Sequence, residues 1–410
     1  MKKTFTFLAA FCVLAISNVW ATKIQVTTAA EFTTAWGTYA SGDTIVLAAG
    51  DYDLSTNVTI SKTVTIMADP NASTMPKIIK TQFIFGADCS FFVEGIEVYY
   101  DVEGVATPTG SYFIQAQSGG NWNIPTISIK NSNIHGYGRA MVRADNTTVI
   151  PTITNLIINN CIISDMGRNS AGYSVLALKT GKVSNVTITN STVYNCMNGF
   201  WYSEKNDFPV IFNMDKCCIL KSTSTGSKLI FNNNTNPGSV HTIKDCIISD
   251  SYDASADKMQ IKLGSNGTDT YGHINNVILG NNMNASIFVS TTLTTDNEVA
   301  VTALSFNYPA LTITTTPSTV SNIGDPRWEI NGVRTNTDFK SFNNIFAYIS
   351  NNQLTVGNLP LNSSVDIYSF SGSHIYSKSN SGSILQIPMS SACIVKVVSG
   401  TGIKCVKVIK

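Results

Sequence analysis

Charge is scarce in this chain and almost balanced. Among 410 residues, 27 are basic and 26 acidic, giving a net charge of +1 with only 13% charged side chains. Bulk charge therefore provides no electrostatic footprint for nucleic acid, and no nucleic-acid partner is predicted. Histidine is scarcer still, at four residues. No Cys-x-x-Cys or paired Cys/His spacing exists to hold zinc. There is no phosphate loop, nucleophile elbow or dinucleotide fingerprint, which removes kinase, esterase and dehydrogenase readings. Asp-Asp and Gly-x-Asp-Asp are missing too, so the closely placed acids of a pectin hydrolase are not in evidence. No cofactor and no metal are predicted. The longest apolar run, near the N-terminus, falls short of the ~20 residues that cross a bilayer, so no membrane span is predicted. Helical periodicity is confined to residues 29–39, where Phe32, Trp36 and Tyr39 could cover the open end of a repeat array.

A recurring phrase fills residues 131–279. An extended run leads to Asn or Asp, then Cys or Ser, then aliphatics. The copies are Asn131-Ser132-Asn133-Ile134, Asn160-Cys161-Ile162-Ile163, Asn190-Ser191-Thr192-Val193, Lys216-Cys217-Cys218-Ile219, Asp245-Cys246-Ile247-Ile248 and Asn275-Asn276-Val277-Ile278, spaced 29, 30, 26, 29 and 30 residues apart. A period in that range marks units that bury their apolar faces by stacking on neighbours. Within each copy apolar and polar residues alternate, as in Ile127-Ser128-Ile129-Lys130 and Val186-Thr187-Ile188-Thr189. Alternation in Val, Ile, Thr, Tyr and Phe means strand. Short strands at this period describe one coil of a parallel β-helix. The recurring Asn suits a tight turn, since its side chain tolerates left-handed backbone. Cysteines at matching points suit an internal stack of small reduced side chains rather than a disulfide framework. A bridge between Cys393 and Cys405, which flank an expected hairpin, is left open.

Residues 1–21 read as a secretory signal peptide, with Lys2 and Lys3, an apolar core over 5–16, and Val19-Trp20-Ala21 before a cut at Thr22. Export to a secreted or outer-surface location is therefore expected, with eight cysteines left after cleavage. Residues 22–330 are assigned to the helix, 331–340 to a polar linker and 341–410 to a small β-sandwich. The sandwich rests on short strands such as Leu354-Thr355-Val356 and Ile394-Val395-Lys396-Val397 between Gly, Ser and Asn turns. Residues 101–125 and 291–318 carry little repeat signal and are read as long loops or irregular coils.

Three stretches resemble known families. Gly42-Asp43-Thr44-Ile45 leading to Gly50 and Tyr52 resembles the entry coils of secreted pectate-lyase-like and chondroitinase-B-like right-handed parallel β-helices. Gly324-Asp325-Pro326-Arg327-Trp328 resembles the closing motif of exported bacterial β-helix proteins of unknown function. Val365-Asp366-Ile367-Tyr368-Ser369-Phe370-Ser371-Gly372 and the terminal Lys407 and Lys410 resemble a type IX secretion sorting domain, although Ser391-Ala392-Cys393 stands where that family has Gly-x-Tyr. These resemblances imply a right-handed, single-stranded, pectin-lyase-like solenoid, and a C-terminal domain that meets an export machinery. They leave activity open, because the fold serves lyases, hydrolases and binders alike.

Chemistry is sought on the strand that follows the Asn turn. Stacking 139–145, 173–179, 199–205, 228–234 and 258–264 in register sends Val142, Leu176, Tyr202, Phe231 and Ile261 inward. The outer face then holds Arg139, Arg143, Lys179, Lys205, Lys228, Lys258 and Lys262, with Tyr173 and Trp201 among them and one acid, Asp145. Coils lie only ~4.8 Å apart, so such an excess calls for counter-anions or a ligand. Arginine forks suit carboxylate, and a sugar ring can lie on Trp or Tyr. These nine residues are predicted to bind an acidic polysaccharide. The other readings are a polyuronate lyase working by β-elimination without calcium, through Arg143 or Lys262, and a structural or adhesive surface protein. The first needs a base beside a uronate carboxyl group. His135, in His135-Gly136-Tyr137-Gly138-Arg139, is read as a loop histidine of ordinary role, with a base beside the groove as its other reading. His241 and His273 are read as beginning strands, with no special role.

Overall fold

A computed structural model describes residues 21–408, apart from 103–108, 111, 117–118, 147, 169–172, 204–207, 225–227, 233–237, 250–251, 254–258, 264–269, 280–282, 289–292, 309, 321, 335–345, 351, 358, 360–362, 371–372, 381–383, 390 and 400–401. Several strands beyond Ser222 are described by their backbone alone. The chain winds as a parallel β-solenoid, as its repeat predicts. Each full coil visits three faces. The first face carries the longest strands, including Asn123–Lys130, Thr152–Asn159 and Lys182–Thr189. The second carries three-residue strands, among them Glu97–Tyr99, Asn133–His135, Ile162–Ser164 and Thr192–Tyr194. The third is a nine-stranded parallel sheet that includes Ile114–Gln115, Val142–Arg143, Leu176–Ala177 and Trp201–Ser203.

The corner between the first two faces is where the sequence phrase acts. Asn131, Asn160, Asn190, Lys216, Asp245 and Asn275 all have φ between +49° and +57°. That left-handed conformation is one Asn and Asp accept at least cost. The Asn160 amide donates to Asn131 Oδ1 at 2.8 Å, and the Asn131 amide to Glu94 Oε1 at 3.1 Å, so the corners are laced coil to coil. The next residue turns inward. Ser132, Cys161, Ser191, Cys217 and Cys246 are buried, and each donates to the carbonyl two residues back, as Cys161 does to Asn159 at 3.3 Å. The cysteines are free thiols. Burial pushes the Cys161 thiol up to about 11 and Cys196 to about 12, so both stay protonated and unreactive. A second left-handed corner follows the second face at Lys80, Asp165, Asn195 and Lys221. The repeat phrase did not disclose it, because the residue type there varies.

The first end of the solenoid is covered by the helix Ala29–Thr38, close to the predicted 29–39. Thr28 caps it by accepting from the Glu31 amide at 3.2 Å, and Glu31 in turn accepts from the Thr27 amide at 2.7 Å. Phe32 stacks on Trp36, which tilts onto Phe83 of the core. The entry motif is structural. Asp43 accepts from the Thr22 amide at 2.8 Å and the Ala40 amide at 2.7 Å, and the buried Tyr52 hydroxyl donates to Val26 O and Ala48 O at 3.0 Å each.

Residues 299–334 do not continue the coils. They fold back as a strap over the outer side of the second face. Ile313, Val320, Ile323, Trp328 and Ile330 pack on Cys218, Leu220, Ile247 and Val277, and Tyr308 stacks on Tyr194 at 3.9 Å. The Gly-Asp-Pro-Arg-Trp motif is the latch. The Thr192 hydroxyl donates to Asp325 Oδ2 at 2.6 Å and accepts from Trp328 Nε1 at 2.7 Å. Arg327 pairs with Asp325 and donates to Cys161 O at 2.5 Å and Asn190 O at 3.3 Å. Gly324 has φ +80°, and a Cβ there would lie 2.8 Å from Cys218 Sγ, so glycine alone fits this approach.

Beyond residue 345, Phe346–Ser350, Gln353–Gly357 and Ile384–Pro388 form one antiparallel sheet. His374–Asn380, Ser363–Tyr368, Cys393–Ser399 and Gly402–Val408 form a second. Leu354, Val356, Val365, Ile367, Leu385, Ile387, Val395 and Val397 share one core, as the sandwich reading requires. Cys393 is free and lies opposite Val408, while Cys405 lies opposite Lys396. The register therefore separates Cys393 from Cys405, and the bridge left open in the sequence is not formed.

Candidate functional site

The third face begins with a register. Ile114, Val142, Leu176 and Trp201 are partners in successive strands, as are Gln115, Arg143, Ala177 and Tyr202. Ile114, Val142, Leu176 and Trp201 are all buried in the core. The second set stands on the outer side, because neighbours along a strand face opposite ways.

This register corrects one placement. Aligning by loop position set Tyr202 beside Leu176, but Leu176 pairs with Trp201. A one-residue slip exchanges inside and outside. Trp201 is therefore not on the outer face. It is 1% exposed, stacked on Phe212 at 4.3 Å with a 6° interplanar angle, and 5.7 Å from the His241 ring. Tyr202 takes the outward position instead, half-buried. A second slip follows, since Phe231 pairs with Lys262 and Ile230 with Ile261. Lys262 and Lys228 lie on described strands, but their side chains do not belong to the described part. Lys205 and Lys258 lie outside the described residues altogether.

What the fold does gather is a compact box at the third to fifth strands of this sheet, counted in chain order. Arg139 and Arg143 flank a pair of tyrosines, Tyr112 and Tyr173, whose rings meet edge-to-face at 5.5 Å. The Arg143 guanidinium carbon lies 4.6 Å from the Tyr112 ring centre and 5.2 Å from that of Tyr173. For Arg139 both distances are 5.5 Å. Each guanidinium thus forms a near-equilateral triangle with the two rings, within cation–π range. Arg139 also donates to the Tyr112 hydroxyl at 2.9 Å. Ala140 and Ala177 lie beneath the tyrosines, and their small side chains let the rings settle on the sheet. Tyr112 is 2% exposed, and burial together with its bond to Tyr173 pushes its hydroxyl up to about 12. Tyr112 is accordingly neutral at neutral pH.

Of the two guanidiniums, only that of Arg143 pairs with a carboxylate among the described residues. Arg143 gives its Nε to Asp145 Oδ1 at 2.6 Å, and its terminal nitrogens bond no other described residue. Its side chain is 21% exposed. With rings against the guanidinium and Asp145 on its Nε edge, the Nη edge is what remains to present. That edge carries parallel N–H donors, the fork that matches a carboxylate. Lys179 lies nearby on the same strand run, exposed, with its ammonium 5.7 Å from the Tyr202 ring centre. Of the residues singled out in the sequence, Arg139, Arg143 and Tyr173 meet in the box, while Lys179 contacts Tyr202. Tyr112 was missed, since it sits in the 101–125 stretch that carries no repeat signal. The apolar triplet Tyr112-Phe113-Ile114 was its one local clue.

The histidines are elsewhere. His135 ends the strand Asn133–His135 of the second face rather than lying in a loop. It is 6% exposed, bonded through Nε2 to Glu97 Oε1 at 3.1 Å and stacked on Tyr99. The bond to His135 is the main reason that Glu97 stays below the usual carboxylate range. His241 and His273 are core residues of the first face, each 1% exposed. Among the described residues no group of three or more His, Cys, Asp or Glu could hold a metal ion. Also among the described residues, no helix is long and apolar enough to cross a membrane.

Residues 50–196 match a protein family described as domain of unknown function DUF4957. The match covers the early coils and ends just past the arginine box. No curated protein matches the chain. Among solved structures, an arginine-to-alanine mutant of the PL6 family alginate lyase AlyGC aligns with 78% of this chain and 60% of its own, at 10% identity and a TM-score of 0.25. The chain thus spans less than two thirds of that protein, and a likeness at this level bears on neither substrate nor mechanism.

Proposed function

We propose that the protein binds an acidic polysaccharide of the polyuronate class on the outer side of its third face. The observation that carries this reading is the Arg139–Arg143–Tyr112–Tyr173 box, with two guanidiniums, one carboxylate on Arg143, and Arg143 Nη atoms that bond no described residue. Excess positive charge held on aromatic rings is stabilised further by a carboxylate that can dock in the guanidinium plane. The half-buried Tyr173 ring supplies an apolar surface for the pyranose carbons. The box makes a poor proton acceptor, because arginine stays protonated and Tyr112 is raised to about 12. Binding rather than β-elimination is therefore the favoured activity, and the expected export would present the face to extracellular glycans.

The test is retention of the purified protein on immobilised pectate, alginate and chondroitin across a salt gradient. Salt-sensitive retention is expected on at least one of the three, lost by tenfold or more in Arg143→Ala. Trp201→Ala is expected to lower stability by about 3–5 kcal/mol without a specific change in retention, because Trp201 is core. Retention unaffected by Arg143→Ala removes this site. Rising ultraviolet absorbance from unsaturated products would establish a lyase instead.

A further inference from the structure

The outer column of the third face runs on past the arginine box. Arg143, Ala177 and Tyr202 are successive register partners. Tyr202 therefore stands two strands from Arg143, roughly 10 Å along the solenoid at ~4.8 Å per strand. It is half-buried, with the Lys179 ammonium 5.7 Å from its ring centre. The step between the two is filled by Tyr173, which packs above the buried Ala177. The cation-and-tyrosine pairing of the box is thus repeated, on the same outer side and one coil beyond Ala177.

We propose that Tyr202 and Lys179 form a second subsite for the same ligand, a linear acidic oligosaccharide of three or more residues lying along the solenoid axis. The inference rests on reading the arginine box as a glycan site. A 1,4-linked pyranose residue advances by about one strand spacing, ~4.8 Å. A chain with one carboxylate on Arg143 therefore brings its second neighbour over Tyr202. There the ring carbons meet the aromatic face while Lys179 meets the carboxylate of that residue or the next. A single uronate or a disaccharide held at Arg143 stops short of Tyr202, so this subsite selects for chain length.

Titration calorimetry of the full chain with di- and tetra-uronides tests this. The wild-type protein is expected to bind the tetrasaccharide about tenfold more tightly than the disaccharide, a gain of about 1.4 kcal/mol. Tyr202→Leu should erase that gain and keep the disaccharide affinity. Tyr202→Phe should retain the gain, which controls for folding. Arg143→Ala should weaken both ligands. If Tyr202→Leu preserves the tetrasaccharide-to-disaccharide ratio, or lowers both affinities alike, the second subsite is wrong while the arginine site stands. If the wild-type protein binds neither oligosaccharide, the site and its extension fall together.

Discussion

At the residue scale, a side chain's role here follows from which side of its strand it stands on. His241 shows the cost of the inward side. Burial among Phe212 and Trp201 lowers its pKa from the ordinary 6.5 to about 3. The folded state thus binds fewer protons than the unfolded state between those values. Stability from the neutral ring is fully present above pH 6.5 and is lost as pH falls toward 3, at about 1.4 kcal/mol per pH unit. Comparing urea midpoints at pH 7 and 5.5 should show this loss, and His241→Phe should flatten it. An equal slope in the variant would mean that other groups govern acid sensitivity. Trp201 makes the same point for site reading. Nothing in Gly199-Phe200-Trp201-Tyr202 says which ring faces out, because both candidates are aromatic and half a register decides.

At the element scale, the strap is the informative piece. Cys217-Cys218-Ile219-Leu220 and Cys246-Ile247-Ile248 are apolar at consecutive positions, which is how strands read when both faces are covered. Cys217 and Ile219 fill the solenoid interior, while Cys218 and Leu220 lie beneath the strap. The motif legible as a closing signature turns out to clamp the flank of the coils. Arg327 is what neutralises the fully buried Asp325 carboxylate, so its removal leaves an unpaired charge. Arg327→Ala is expected to cost about 3–5 kcal/mol. Faster amide exchange should follow in Thr192–Tyr194 and Cys218–Leu220, with little change near Thr44–Leu47. Uniform acceleration along the whole chain would show that the strap is not a local clamp. Gly324 should tolerate no side chain for the steric reason given above.

At the scale of the molecule, stability of a solenoid is close to a sum over neighbouring coils, and its ends need separate protection. The first end combines the aromatic helix with Asp43. The Thr22 amide is the main influence that holds the Asp43 carboxyl below its ordinary 3.8. Cleavage before Thr22, expected from the sequence, would turn that amide into an ammonium group and its hydrogen bond into an ion pair. Mass spectrometry of protein recovered outside the producing cells should find Thr22 as the first residue. A chain that keeps residues 1–21, or one confined to the cytosol, would contradict export. Recovery of the C-terminal sandwich in the same sample would bear on its proposed sorting role.

The repeat phrase was enough, by itself, to establish strands, coil period, left-handed Asn corners and a reduced cysteine stack. Each of these follows from local chemistry that recurs at every copy: alternation, Asn tolerance of positive φ, and small side chains at the inner corner. The sandwich strands and the capping helix were legible for the same reason. Only the tertiary structure decided which residues stand on the outer side of the third face. Loops of unequal length separate the third-face strands, so the sequence does not show which residue of one coil lies beside which residue of the next. Arg139, Arg143 and Tyr173 come together in the structure all the same. Trp201 turned inward and Tyr202 took the outer position, because in a parallel sheet one residue of register separates the core from the surface.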